Sequence, residues 1–252
     1  SLRDKVSAEE WEARVNLACA YRLVDNFGWT HLTANHISLR VPGDDDHFLL
    51  NPYGFMFREI NASSLVKVDI DGSIVDGGSL GADADIIAAG FVIHSAVHMS
   101  RTDARCVMHT HTTAGMAVSA QADGLLPLAQ TSLRFYNRLA YHDFEGIATD
   151  LDERQRLVAD LGTRKAMVLR NHGLLTVGGS IAEAFQEMRY LQNACELQLA
   201  AQVCDNLSMP SEEVCEKTAK QFEKNGANQR ANDTAWAAMK RMLDDEEPSY
   251  KH

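Results

Sequence analysis

Three histidines have the spacing of groups that can share one cation: His109 and His111, separated by Thr110, and His172 within Arg170-Asn171-His172-Gly173. A strand places alternate side chains on one face, so a His-x-His pair can direct both rings at a single ion. The apolar Cys106-Val107-Met108 leading into the pair reads as a buried strand whose end delivers the rings to a cleft. His172 lies between two short β-like runs where Gly173 permits a tight turn, and it is the best third ligand. A catalytic site of the zinc type takes three neutral protein ligands and leaves one position open for substrate. The pattern therefore predicts a divalent-metal site, zinc by default, with manganese or iron as alternatives.

Four further side chains can move protons: His36, Tyr53, Tyr141 and His142, of which Tyr141 and His142 are the catalytic candidates. Each also has a plain reading. His36 and His142 can be buried rings satisfied by backbone carbonyls, and the tyrosines can be packing residues. His94, on an apolar helix, reads as a structural hydrogen-bonder, and His31 and His47 as exposed turn residues. Arg40 can pair with a nearby carboxylate or bind a substrate anion.

These groups need a scaffold, and the text supplies one. Ser7-Ala8-Glu9-Glu10 has the form of a capping box, and the apolar stripe Trp11, Val15, Ala18 predicts a helix ending near Gly28. Ile37–Val41 and Leu65–Ile70 alternate with period two, and Asp71-Gly72 is a hairpin signal. A helix is expected from about Asp85 to Met99, a strand at Cys106–His109, a helix at Thr113–Ser119 and a strand at Leu139–His142. A helix over Leu151–Leu161 and strands at Ala166–Arg170 and Leu174–Val177 follow, and a second capping box at Ser180 opens a long helix to about Val203. Residues 1–205 thus read as one α/β domain. Residues 206–252 read as a helical extension, a peripheral arm packed on a neighbouring subunit or left in solvent. Pro210 suits a first helical turn there, and Asn225-Gly226 suits a stop.

Lys and Arg number 24 against 35 Asp and Glu, a formal charge of −11, which argues against nucleic acid or an anionic membrane as partner. The longest charge-free runs, Ile86–Ser100 and Cys106–Ala122, are shorter than the ~20 apolar residues of a membrane span. The first residues lack an apolar signal core, so a soluble, cytoplasmic protein acting on a small molecule is expected. Five cysteines without a Cys-x-x-Cys pair favour buried, reduced thiols.

The His-x-His pair with Arg170-Asn171-His172-Gly173 resembles the class II aldolase/adducin family, over about Ser7–Cys204. Asn35-His36-Ile37-Ser38-Leu39-Arg40 is similar to that family's first β-turn element, Asn51-Pro52-Tyr53-Gly54 to its phosphate loop, and His94 to its central-helix histidine. The resemblance implies a central, mainly antiparallel sheet with helices on both faces, in a three-layer class II aldolase-like architecture. It also implies metal binding by His109, His111 and His172, a substrate subsite at His36, Asn51, Tyr53 and Gly54, and a homo-oligomer, a tetramer with sites at subunit contacts.

Departures from the pattern bear on the reaction. Gly90 stands where sugar-phosphate aldolases of the family carry a proton-transferring glutamate, Asn35-His36 replaces Gly-Asn, and Tyr53 replaces the loop serine. Gly90→Glu is accordingly expected to restore proton transfer on aldol substrates. These departures, with Ala89-Gly90-Phe91 and Tyr141–Gly146, resemble the adducin branch, as a stand-alone head. Two readings follow: a metal-dependent lyase cleaving or decarboxylating a small oxo or hydroxy acid through a stabilised enolate, or a non-catalytic, adducin-like oligomeric binding module.

Overall fold

Short apolar runs of period two, punctuated by Gly and Asp turns, build the sheet that the rest of the chain covers. The computed structural model describes residues 1–146, 152–226 and 229–252. Among the described residues eight strands form one sheet: β1 (His36–Arg40), β2 (His47–Leu50), β3 (Val66–Asp69), β4 (Ile74–Asp76), β5 (Cys106–Thr110), β6 (Leu139–His142), β7 (Ala166–Leu169) and β8 (Gly173–Gly178). Their order is β4-β3-β2-β1-β5-β8-β7-β6. Neighbours run antiparallel except β6 and β7, which are parallel. This is the mainly antiparallel α/β architecture expected. The Asp71-Gly72 turn forms as read: Gly72 has φ +88°, and Asp69 Oδ1 accepts from Asp71 N at 3.0 Å and Ser73 N at 2.8 Å.

The helices are α1 (Ala8–Asn26), α2 (Ala88–Ser100), α3 (Thr113–Ser119), α4 (Gln130–Leu133), α5 (Glu153–Leu161), α6 (Ile181–Ala201), α7 (Glu212–Gly226) and α8 (Gln229–Glu246). The expected start of α5 at Leu151 lies outside the described residues. Ser7 caps α1 by accepting from Glu10 N at 3.0 Å, but only half of the expected box is made. The Glu10 carboxylate turns instead to buried Arg14 (3.0 Å) and to Lys67 (2.7 Å).

Two apolar layers fix which face of the sheet does what. Leu17 and Tyr21 of α1 and Phe185 and Leu191 of α6 pack with Ile37, Met108 and Leu174 on one face. Ile93 and Val97 of α2 and Leu157 and Leu161 of α5 pack with Val107, Met167 and Leu175 on the other. Burying one such side chain contributes about 1.5–3 kcal/mol before the cost of ordering it. By strand alternation His36, Ser38 and His109 belong to the α2 face.

The extension packs against its own chain rather than standing off in solvent. Trp236 and Leu243 of α8, and Tyr250 beyond it, join the first layer. Arg22 of α1 pairs with Glu247 at 2.7 Å, and the Tyr250 and His252 carbonyls accept from Ala62 N (2.9 Å) and Ser63 N (2.8 Å). The first helix of the extension, α7, begins at Glu212, beyond Pro210. All five cysteines are free, Cys204 exposed and the other four buried. Among the described residues, no helix is long and apolar enough to cross a membrane.

Candidate metal centre

Strand direction gathers the site at one end of the sheet. β5 ends, β8 begins and β1 begins there, with His109 opposite Leu175 on one side and opposite His36 on the other. His109 is fully buried, while His111 and His172 are partly exposed just beyond the strands. One nitrogen from each ring falls within 4.8 Å of the others. His109 Nε2 lies 2.7 Å from His111 Nε2 and 3.2 Å from His172 Nε2.

Local sequence explains the convergence. Asn171 takes a left-handed conformation (φ +54°) that turns the chain from β7 into β8. Gly173 then lets the turn close on β5, because a Cβ there would run into the Thr110 carbonyl oxygen. Asn35 braces the other side: its Nδ2 donates to Trp29 O at 2.8 Å, and its Oδ1 accepts from His111 N at 3.1 Å.

The donor set fits a divalent cation. His109 Nδ1 donates to Leu174 O at 2.9 Å, so the neutral ring carries its lone pair on Nε2, the atom aimed at the other two rings. Burial holds His109 well below the usual histidine range, reinforced by His111 and His172. Burial and the neighbouring His172 push His111 down to about 4, and burial with nearby His142 lowers His172. Neutral imidazole is the form that binds metal.

The remaining expected site residues divide. His36 is brought to the triad, its ring 5.1 Å from that of His109, centroid to centroid. His142 and His172 line one small pocket together with Phe144, Glu145 and Arg170. His142 Nδ1 is 2.7 Å from Asp160 Oδ2, and Nε2 is 3.4 Å from Glu153 Oε1. Those carboxylates were not anticipated. Tyr141 faces the opposite side of β6, its hydroxyl accepting from Leu125 N at 3.0 Å and its ring lying under the Arg170 guanidinium at 4.4 Å. Asn51 is buried and engaged with Tyr21, whose hydroxyl lies 2.8 Å from Asn51 Oδ1 and also contacts Ile37 O. Tyr53 is 57% exposed, and Gly54 follows in an open left-handed turn with φ +83°. Both leave the end of β2 that adjoins the start of β1, the end of the sheet that carries His36.

Gly90 has a structural meaning that the sequence did not show. A Cβ there would lie 2.5 Å from His36 Cδ2 and 2.7 Å from His36 Nε2, so the His36 ring fills the space a longer side chain would use. Gly90→Glu therefore cannot simply reinstate a proton carrier, because His36 would have to leave. Ser38, His94 and His98 also form a connected group behind His36. The His94-x-x-x-His98 spacing, which puts both rings on one helical face, was the available signal.

Comparison with known proteins adds independent findings. The family model described as "Class II Aldolase and Adducin N-terminal domain" matches residues 15–199. The structure of an aldolase II superfamily protein from Pseudomonas syringae is similar with a TM-score of 0.95 and 51% identity, covering 100% of this chain and 99% of that one. The L-fuculose 1-phosphate aldolase from Glaciozyma antarctica PI12 is similar with a TM-score of 0.83 and 29% identity, covering 97% and 94%. Alpha-adducin from Rattus norvegicus is 46% identical over 187 residues, which are 74% of this chain and 25% of that protein.

Proposed function

The chain belongs to the class II aldolase and adducin family, and from that premise we propose that it is a metal-dependent lyase acting on a small oxo or hydroxy acid. The observation that carries this reading is the convergence of three neutral imidazoles, with the His109 tautomer set by Leu174 O. His109, His111 and His172 would hold the ion, zinc first, with manganese or iron as alternatives. When bound, such an ion supplies a Lewis acid that stabilises the negative charge of an enolate.

The chain's own residues do the rest. His36 flanks the triad where the Gly90 side chain is missing and contacts the substrate there. His142, oriented by Asp160, is the proton-transfer candidate on the His172 side. Asn51, Tyr53 and Gly54 border the substrate end of β2, with the Tyr53 ring exposed to a ligand there. No acidic side chain stands at position 90 to remove a hydroxyl proton. This favours loss of carbon dioxide or cleavage of a non-phosphorylated acid over sugar-phosphate cleavage. We further assign a homotetramer in the cytoplasm, with no nucleic-acid or membrane partner, in keeping with the charge of −11.

The test is metal analysis of protein purified without a histidine tag, followed by metal-dependent release of carbon dioxide or aldehyde from small oxo and hydroxy acids. One ion per chain and turnover lost on chelation are expected. A metal-free protein of unchanged thermal stability would favour the second reading, an adducin-like binding module. The filled space at Gly90 and the 46% identity to alpha-adducin support that alternative.

A further inference from the structure

Behind the triad, four polar side chains on β1 and α2 form one continuous line. His36 Nδ1 is 3.1 Å from His94 Nε2, His94 Nδ1 is 2.6 Å from Ser38 Oγ, and Ser38 Oγ is 2.7 Å from His98 Nε2. His98 Nδ1 is 2.9 Å from the Ala104 carbonyl oxygen, where the line ends. All four side chains are buried. Burial pushes His94 and His98 down to about 3, so each of these two rings carries a single N–H.

That terminal carbonyl decides every proton in the line. A carbonyl oxygen only accepts, so His98 must donate from Nδ1 and keep its lone pair on Nε2. Ser38 must then donate to His98 Nε2, and its oxygen accepts from His94 Nδ1–H. His94 Nε2 is left with a lone pair, so His36 donates to it from Nδ1. His36 Nε2 in turn keeps its lone pair. Among the described residues no hydrogen bond engages that atom, and its ring lies beside His109.

We propose that Ser38, His94 and His98 are positioning residues that lock His36 as a hydrogen-bond acceptor toward the substrate space, so that the site selects ligands offering a hydroxyl or other donor beside the metal-binding histidines. The substrate half of this proposal rests on the lyase reading above. The tautomer half does not. The orientation follows from geometry and neutrality alone, and needs no change of protonation during reaction. A purely structural role for the line would be indifferent to which nitrogen of His36 holds the hydrogen. A selecting role is not.

Long-range proton–nitrogen correlation spectra of 15N-histidine-labelled protein, metal-free and zinc-loaded, read the tautomers directly. His36→Gln, His94→Gln and His98→Gln variants supply the assignments. The proposal expects all three rings to be Nδ1–H in the wild-type protein. An Nε2–H tautomer or an imidazolium at any of the three near neutral pH overturns it. Ser38→Ala should release His94 and His36 into mixed tautomers while His98 stays fixed on Ala104.

Zinc-loaded protein titrated with glycolate and with methoxyacetate, which lacks the hydroxyl donor, tests selection. The preference for glycolate should fall by about tenfold in Ser38→Ala, with zinc affinity unchanged. An unchanged preference overturns the selecting role. Failure of the wild-type protein to bind zinc would instead remove the lyase reading, and the wild-type spectra would still decide the tautomers.

Discussion

The α2 face of the sheet carries two groups of three histidines, built from the same residue type in adjoining space, and they do opposite things. In the triad, ring nitrogens converge: His109, His111 and His172 bring one nitrogen each into a common volume. In the line through His36, His94 and His98, N–H groups and lone pairs alternate, so every facing pair is satisfied by one hydrogen. The difference lies in the number of strands and in where the carbonyls fall. Leu174 O fixes a single ring and leaves its two neighbours to face it, whereas Ala104 O fixes the end of a chain and thereby every member. Lowered basicity, common to both, predicts neither outcome.

The comparison can be broken most forcefully at the ligands. His172→Ala should weaken zinc binding by about a thousandfold, since a site worth many kcal/mol is divided among a few donors. Ser38→Ala should leave zinc affinity within about threefold. Competition with a chromophoric chelator measures both, and circular dichroism should show the fold retained in each. Equal losses would mean that the two groups are one energetic unit.

Acid should separate them next. His94 and His98 are held at about 3, below the unfolded value near 6.5, so between those limits the unfolded chain binds more protons. Their contribution to stability is therefore full above about pH 6.5 and is lost as pH falls toward 3. Each should add about 1.4 kcal/mol per pH unit to the slope of unfolding free energy in that window. Urea titrations at pH 7, 6 and 5 check this, and His98→Gln should reduce the slope by one such increment.

The finest contrast is between two glycines. Gly173→Ala and Gly90→Ala should each destabilise the fold by about 1–3 kcal/mol, because each adds a methyl where no room exists. Only Gly173→Ala should also lower metal affinity, since it displaces β8 from the Thr110 carbonyl beside His111. Gly90→Ala presses on His36 instead. Thermal unfolding with and without zinc distinguishes them.

Much of this was legible in the residues themselves. Strand alternation pointed to the His109–His111 pair and the apolar runs to its scaffold, while His172, 63 residues from His109, was drawn in by its Asn-His-Gly turn and the family resemblance. What the sequence concealed depends on approach between distant segments. Gly90 read as the loss of a side chain, but it is the space that accommodates His36. His94 read as a structural hydrogen-bonder, which is true as far as it goes, yet its partners on β1 come from 56 and 58 residues away. Tyr141 and His142 looked equivalent in the text, but strand alternation sends them to opposite faces, and only His142 shares a pocket with His172. The extension looked peripheral because it is polar, yet a few large apolar residues were enough to seat it.

That seating sets a timetable for biosynthesis. Arg22 meets Glu247 across 225 residues of sequence, and Ala62 and Ser63 wait for Tyr250 and His252. The first long helix thus emerges from the ribosome with a buried-to-be guanidinium that finds its carboxylate only after nearly everything else has been translated. Contacts of such separation form late and slowly. A nascent chain halted before Glu247 should therefore engage chaperones through its earliest segment, long after the histidine-bearing strands have been made.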